Sequence, residues 1–165
     1  MLLDDLDVEP VLTVARLETF HQRHRGERNF TRTVAEAVTS GSPVLERAGG
    51  WLLRRHAAAT GGLPAEDWAA VLDGLDGVRS WAGRLLLCQM LAEQPGLWAA
   101  APADVAAFLR SCTGDRQPTV RAWSVCAFHR LARRHPEFRT EARGLVAAAR
   151  RDPAKCVQAR LRHLD

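Results

Sequence analysis

Tyrosine is missing from the 165 residues, lysine occurs once, at Lys155, and no apolar run approaches the length of a membrane span. Each absence excludes something. A helix that crosses a bilayer needs roughly 18 or more consecutive apolar residues, so none is expected here. Strands draw on aromatic and clustered β-branched residues, and those clusters are scarce; no stretch alternates apolar and polar positions over more than a few residues. Strand content is expected to be negligible. The opening MLLDDLDVEP carries acids where a secretory leader needs a basic start, which points to the cytoplasm. Cys88, Cys112, Cys126 and Cys156 are widely spaced and form no CxxC pair. Zinc sites and disulfide frameworks need closer or better-paired spacing, so free thiols are expected.

The usual catalytic signatures are missing as well: there is no GxSxG, HExxH, P-loop or GxGxxG. His21 and His24 in HQRHR share one helix face, but no acid or thiol completes an obvious ligand set, and the flanking arginines oppose a cation. The sequence therefore assigns no metal, no cofactor and no catalytic residue, and leans away from an enzyme.

What is present is an ordinary folding composition, 47% apolar and 25% charged, in a chain long enough to bury roughly 68–70% of its unfolded surface as one domain. Charge is unevenly placed. Residues 116–165 hold twelve basic and four acidic groups, a net +8, whereas residues 1–40 and 41–115 each carry −2. Almost all the positive charge is arginine in an alanine-, glycine- and leucine-rich chain, the bias a GC-rich bacterial genome produces. Its concentration in the last third is more informative than its amount.

Helical spacing recurs throughout. Val120, Trp123, Ser124, Ala127, Phe128 and Leu131 follow the i, i+3, i+4, i+7 rule and make one apolar stripe. Pro10, Pro43, Pro64, Pro102, Pro118, Pro136 and Pro153 each precede such a pattern, as suits a residue whose missing amide would be unpaired in a first turn. Ser42 and Asp152 are the expected N-caps, while Gly49 and Gly50 fall awkwardly inside a long helix. These marks predict helices near 10–24, 28–39, 43–59, 65–74, 77–93, 102–112, 118–134, 137–151 and 153–164, joined by short links that favour antiparallel hairpins.

The hairpins repeat. DGVRSWAGRLLLCQMLAEQPGLW and PTVRAWSVCAFHRLARRHPEF align Val78 on Val120, Arg79 on Arg121, Trp81 on Trp123, Pro95 on Pro136 and Leu97 on Phe138, with fainter copies at Val44 and Val157. The pattern D-x-x-P-x-V-R-x-W-x-x-x-A-F-x-x-L-A resembles the second helix of a HEAT repeat, most strongly over 76–138. That resemblance implies an all-α solenoid of eight or nine stacked antiparallel helices, with 42–164 as repeats and 1–40 as atypical capping helices of one domain. It also implies that Arg79 and Arg121, with Asp76 and Asp115, tie neighbouring repeats together. Trp81 and Trp123 are expected to pack between hairpins, with base stacking as the sharper alternative for both.

If the second helices line a concave side, as the resemblance implies, then Ala122, Val125, Cys126, His129 and Arg133 of one helix, and Lys155, Ala159, Arg162 and His163 of the last, face a basic groove. His129, Arg133, Lys155 and Arg162 are the candidate binding residues. The expected function is a scaffold or adaptor that holds a protein partner of acidic character. The alternative is nucleic-acid binding: WLLRRHAAA is similar to the tryptophan-arginine helix of HEAT-like DNA alkylation repair glycosylases, although the chain has no WxxxD arrangement to carry their chemistry.

Overall fold

A computed structural model describes residues 13–99, 101–162 and 164, and all regular structure within them is helical. The helices are α1 (Val14–His24), α2 (Phe30–Val38), α3 (Pro43–Thr60), α4 (Ala65–Asp73), α5 (Trp81–Glu93), α6 (Pro102–Cys112), α7 (Pro118–Arg134), α8 (Arg139–Ala149) and α9 (Lys155–Leu161). Short 3-10 turns at Leu75–Gly77, Pro95–Trp98 and Pro136–Phe138 precede α5, α6 and α8. None of the described helices is long and apolar enough to cross a membrane.

Pro43, Pro102 and Pro118 open their helices as expected. Other proline signals shift. Pro64 stands one residue ahead of α4, Pro136 opens a 3-10 turn, and α9 starts at Lys155, not at Pro153. Ala154, not Asp152, holds the cap position of α9, and the Asp152 carboxylate accepts from Arg121 while its Oδ1 also takes the Ala154 N–H at 2.8 Å. Ser42 occupies the cap position of α3 without a side-chain capping bond. The expected start at residue 10 lies outside the described residues.

Internal contacts divide the chain into two units between Leu86 and Leu87, a point inside α5. In the first unit α2 packs on α3 and α4, and α1 packs on α3. Gly49, which falls awkwardly inside a long helix, is the place where α2 and α3 touch. A Cβ on Gly49 would lie 2.7 Å from the Val38 nitrogen and 2.9 Å from the Val34 oxygen, so only a residue without one lets the two backbones approach this closely. Phe30, Val34, Leu52, Leu53, Trp68 and Val71 fill the core around this contact.

The second unit is organised on α7, which packs against α6, α8, α9 and the Pro95–Trp98 turn. Nine of its residues are buried, more than one stripe can supply. Ala122, Val125 and Cys126, which the sequence placed on a groove face, are 2–3% exposed. Ala122 and Val125 lie under Ala149 of α8 and Val157 and Leu161 of α9, so the small residues are helix contacts and not gaps in a groove. Both proline-opened turns of this unit return an aromatic residue to the helix before them. Trp98 Nε1 donates to Leu91 O at 2.8 Å, and Phe138 stands edge-on to Phe128 at 6.0 Å. Of the four aligned valines, Val78, Val120 and Val157 are buried while Val44 is 40% exposed.

Candidate functional site

Ser80 and Glu46 fix the start of α5. Ser80 Oγ accepts the Gly83 N–H at 3.0 Å, and the fully buried Glu46 carboxylate accepts the N–H groups of Arg79 at 2.9 Å and Ser80 at 2.6 Å. Gly83 leaves room for this, since a Cβ there would stand 2.9 Å from Glu46 Oε2. Helix N-termini present unpaired amides, and a carboxylate that takes two of them is a strong anchor.

So fixed, α5 sets Trp81 at the lip of a groove. Val14 and Leu17 from α1, Arg47 and Trp51 from α3, and Trp81, Ala82, Leu85 and Leu86 from α5 enclose about 160 Å³. Trp81 is 52% exposed and so is not packed between hairpins as its sequence position suggested. The groove is smaller than the roughly 300–1,000 Å³ of small-molecule sites, but it admits one or two side chains. Its lining is apolar apart from the exposed Arg47.

A second hollow, of about 390 Å³, lies at the end of α3 between His56, Thr60, Gly61, Gly62, Leu63 and Pro64. Its lining offers one imidazole and no carboxylate, which makes no acid–base pair. Behind it the fully buried His21 has no hydrogen-bond partner at either ring nitrogen, and His56 has none at Nδ1. The two rings stand 5.6 Å apart, with Phe30 at 5.7 Å from His21 and 5.1 Å from His56. Burial pushes both imidazoles below the ordinary 6.5. Beside them Arg55 holds Glu18 in a two-bond ion pair at 2.9 Å and 2.9 Å, and that bonding lowers the Glu18 pKa to about 2. Among the described residues no cluster of three or more His, Cys, Asp or Glu side chains is placed to hold a metal.

In the second unit Arg121 joins two loops. It donates to Asp152 through Nε at 2.7 Å and Nη2 at 2.9 Å, and through Nη1 to Asp115 O at 2.8 Å. Its alignment partner Arg79 is exposed, and it is the Arg79 backbone N–H that is bonded, to Glu46. Trp123 is half-buried under the guanidinium of Arg160, whose central carbon lies 3.7 Å from the ring centroid. Of the candidate binding residues, Arg133 is exposed on the last turn of α7 and His129 is half-buried one turn earlier. Lys155 and Arg162 are exposed at the two ends of α9, and His163 lies outside the described residues.

No family model, curated protein or solved structure matches the chain.

The sequence passed over Glu46, Arg47 and Arg160. Glu46 reads as a surface acid because nothing local shows that residues 79–80 come to it. Trp51 becomes a groove wall only through the approach of α1 and α5. Arg160 differs from its arginine neighbours solely in lying over a ring 37 positions away in the chain.

Proposed function

We propose that the protein is a non-enzymatic, cytoplasmic helical-repeat module of HEAT-like type that binds a protein partner. Its helices are read as hairpins stacked into a solenoid, supported by short links, packing between consecutive helices and the recurrent proline-opened turns. The partner site is the groove of α1, α3 and α5. The observation that carries this is the exposure of Trp81. Among the described residues the exposed large apolar side chains are Val14, Val44 and Trp81, and two of these line the groove. A tryptophan left in water beside an apolar slot is a typical anchor for a partner.

The occupant is a short amphipathic peptide segment with one large apolar side chain for the slot and a carboxylate for Arg47. The acidic partner is therefore assigned to the first unit and not to α7, whose Ala122, Val125 and Cys126 are covered. Peptides selected from a random displayed library against the whole protein are expected to share an apolar anchor beside an acid. Trp81→Ala and Arg47→Glu should each weaken them by roughly tenfold or more while leaving the thermal midpoint nearly unchanged. Selected peptides that bind both variants as well as the wild type would overturn the assignment.

A further inference from the structure

Two guanidinium groups of the second unit have charges that reach one buried thiol, and neither has a carboxylate partner among the described residues. Arg160 lies over the Trp123 ring, and Arg130, which is exposed on α7, donates through Nη1 to Ala92 O at the end of α5. Burial pushes the Cys126 thiol up, and the charges of Arg130 and Arg160 both reach it and pull the other way. Cys126 is 2% exposed. Each is fixed by a neutral group, a ring face or a carbonyl, and among the described residues neither has an acidic partner. The contrast within the same unit is clear, because Arg110 and Arg121 are each spent on a carboxylate, Glu141 and Asp152.

Positions 119, 123, 130 and 134 recur at helical spacing along one side of α7, with Arg133 beside them and the buried Cys126 between Trp123 and Arg130. Thr119, Arg130, Arg133 and Arg134 are exposed and Trp123 is half-buried. From Trp123 to Arg134 this strip runs about 16 Å at 1.5 Å per residue. A lone phosphate would need one cation pair; a strip of four arginines suits a chain of phosphates. The Arg160 stack also fixes the mode of recognition. It occupies a ring face on which a base would lie, and a planar guanidinium held there suits phosphate oxygens.

We infer that the arginine strip of α7, with Arg160 stacked on Trp123 and Arg130 beside it, binds the phosphodiester backbone of a nucleic acid without reading its bases. This surface is separate from the peptide groove and does not depend on it.

Fluorescence anisotropy with labelled duplexes and single strands of several sequences, over a range of salt, tests the inference. The wild type should bind all sequences alike, with log affinity falling linearly in log salt. Arg130→Ala with Arg160→Ala should flatten the duplex slope by about 1.8, two phosphates at about 0.9 each. Because Arg130 also bonds Ala92, Arg133→Ala with Arg134→Ala provides a second, exposed pair on the same strip and should act similarly. Arg150→Ala with Arg151→Ala removes the same charge from the end of α8 and should change the slope by less than half as much. Trp81→Ala should leave the curves unchanged. Absence of salt-dependent binding, equal effects from all three arginine pairs, or affinity that tracks base sequence would each overturn the inference.

Discussion

Gly49 and Gly144 are both helical glycines, yet their surroundings predict opposite responses to an added methyl group. At Gly49 a Cβ would press on the backbone of α2, which cannot rotate away as a side chain can. Gly49→Ala should destabilise the protein by about 1–3 kcal/mol despite the better helix propensity of alanine. At Gly144 nothing lies within 4 Å, so Gly144→Ala should stabilise by about 0.4–1 kcal/mol. Urea midpoints of the two variants check the pair, and a shift of the same sign would show that the contact between α2 and α3 is looser than described. Arg121 supplies a second residue-scale expectation, since its fork holds Asp152 and a loop carbonyl together while its bonds to Asp152 lower that carboxyl's pKa. Arg121→Ala should cost about 1–3 kcal/mol, and Arg121→Lys should recover only part because an ammonium cannot reproduce the two parallel bonds. Trp123, half-buried under Arg160, should cost less than the about 3–5 kcal/mol of a fully enclosed tryptophan when changed to alanine.

The helices themselves were legible, for a physical reason: each is bounded by proline, glycine or a polar link and carries its own apolar periodicity. Their ends were less so. Asp152 looks like an N-cap when only neighbours in sequence are considered, and Arg121, far along the chain, takes its carboxylate. α1 carries an expectation of its own. It meets α3 through His21 against His56, with Glu18, Arg25 and Arg55 acting on His21, and Arg25 and Asp67 of α4 acting on His56. Both imidazoles are depressed in the folded chain, so the unfolded chain binds more protons once the pH falls below about 6.5, and stability must fall with it. The stability is fully present above that value. Glu18, lowered from 4.5 to about 2 by Arg55, has the same sign but acts only below about 4.5. Thermal midpoints measured from about pH 8 to pH 5 should therefore decline for the wild type, and more shallowly for His21→Leu with His56→Phe. A decline of equal steepness in the variant would remove the histidine pair from the account.

On the scale of the whole molecule, the net +8 of residues 116–165 was legible, but which arginines are spent on carboxylates and which stay free is decided only by long-range packing. The groove was invisible for the same reason, since its three walls come from α1, α3 and α5. α9 shows how far such packing reaches: Val157 and Leu161 are 0% and 6% exposed over Ala122 and Val125 of α7. Ending the chain after Asp152 should remove about 1.5–3 kcal/mol for each of these two side chains and expose an apolar face. A lower urea midpoint together with new binding of a hydrophobic dye is the expected result, and an unchanged midpoint would mean that α9 is dispensable.

With no tyrosine, the chain's ultraviolet emission comes from tryptophan alone, and its five indoles report from different solvents. Trp68 and Trp98 are sealed in the two cores, Trp123 lies beneath a cation, Trp51 is half-covered and Trp81 faces water. A ligand that fills the groove must shift Trp81 toward the blue and leave Trp98 unmoved. A polyanion that engages Arg160 over its ring must instead change the intensity of Trp123. One unlabelled spectrum, taken with single tryptophan-to-phenylalanine variants, thus separates the two surfaces by colour and brightness.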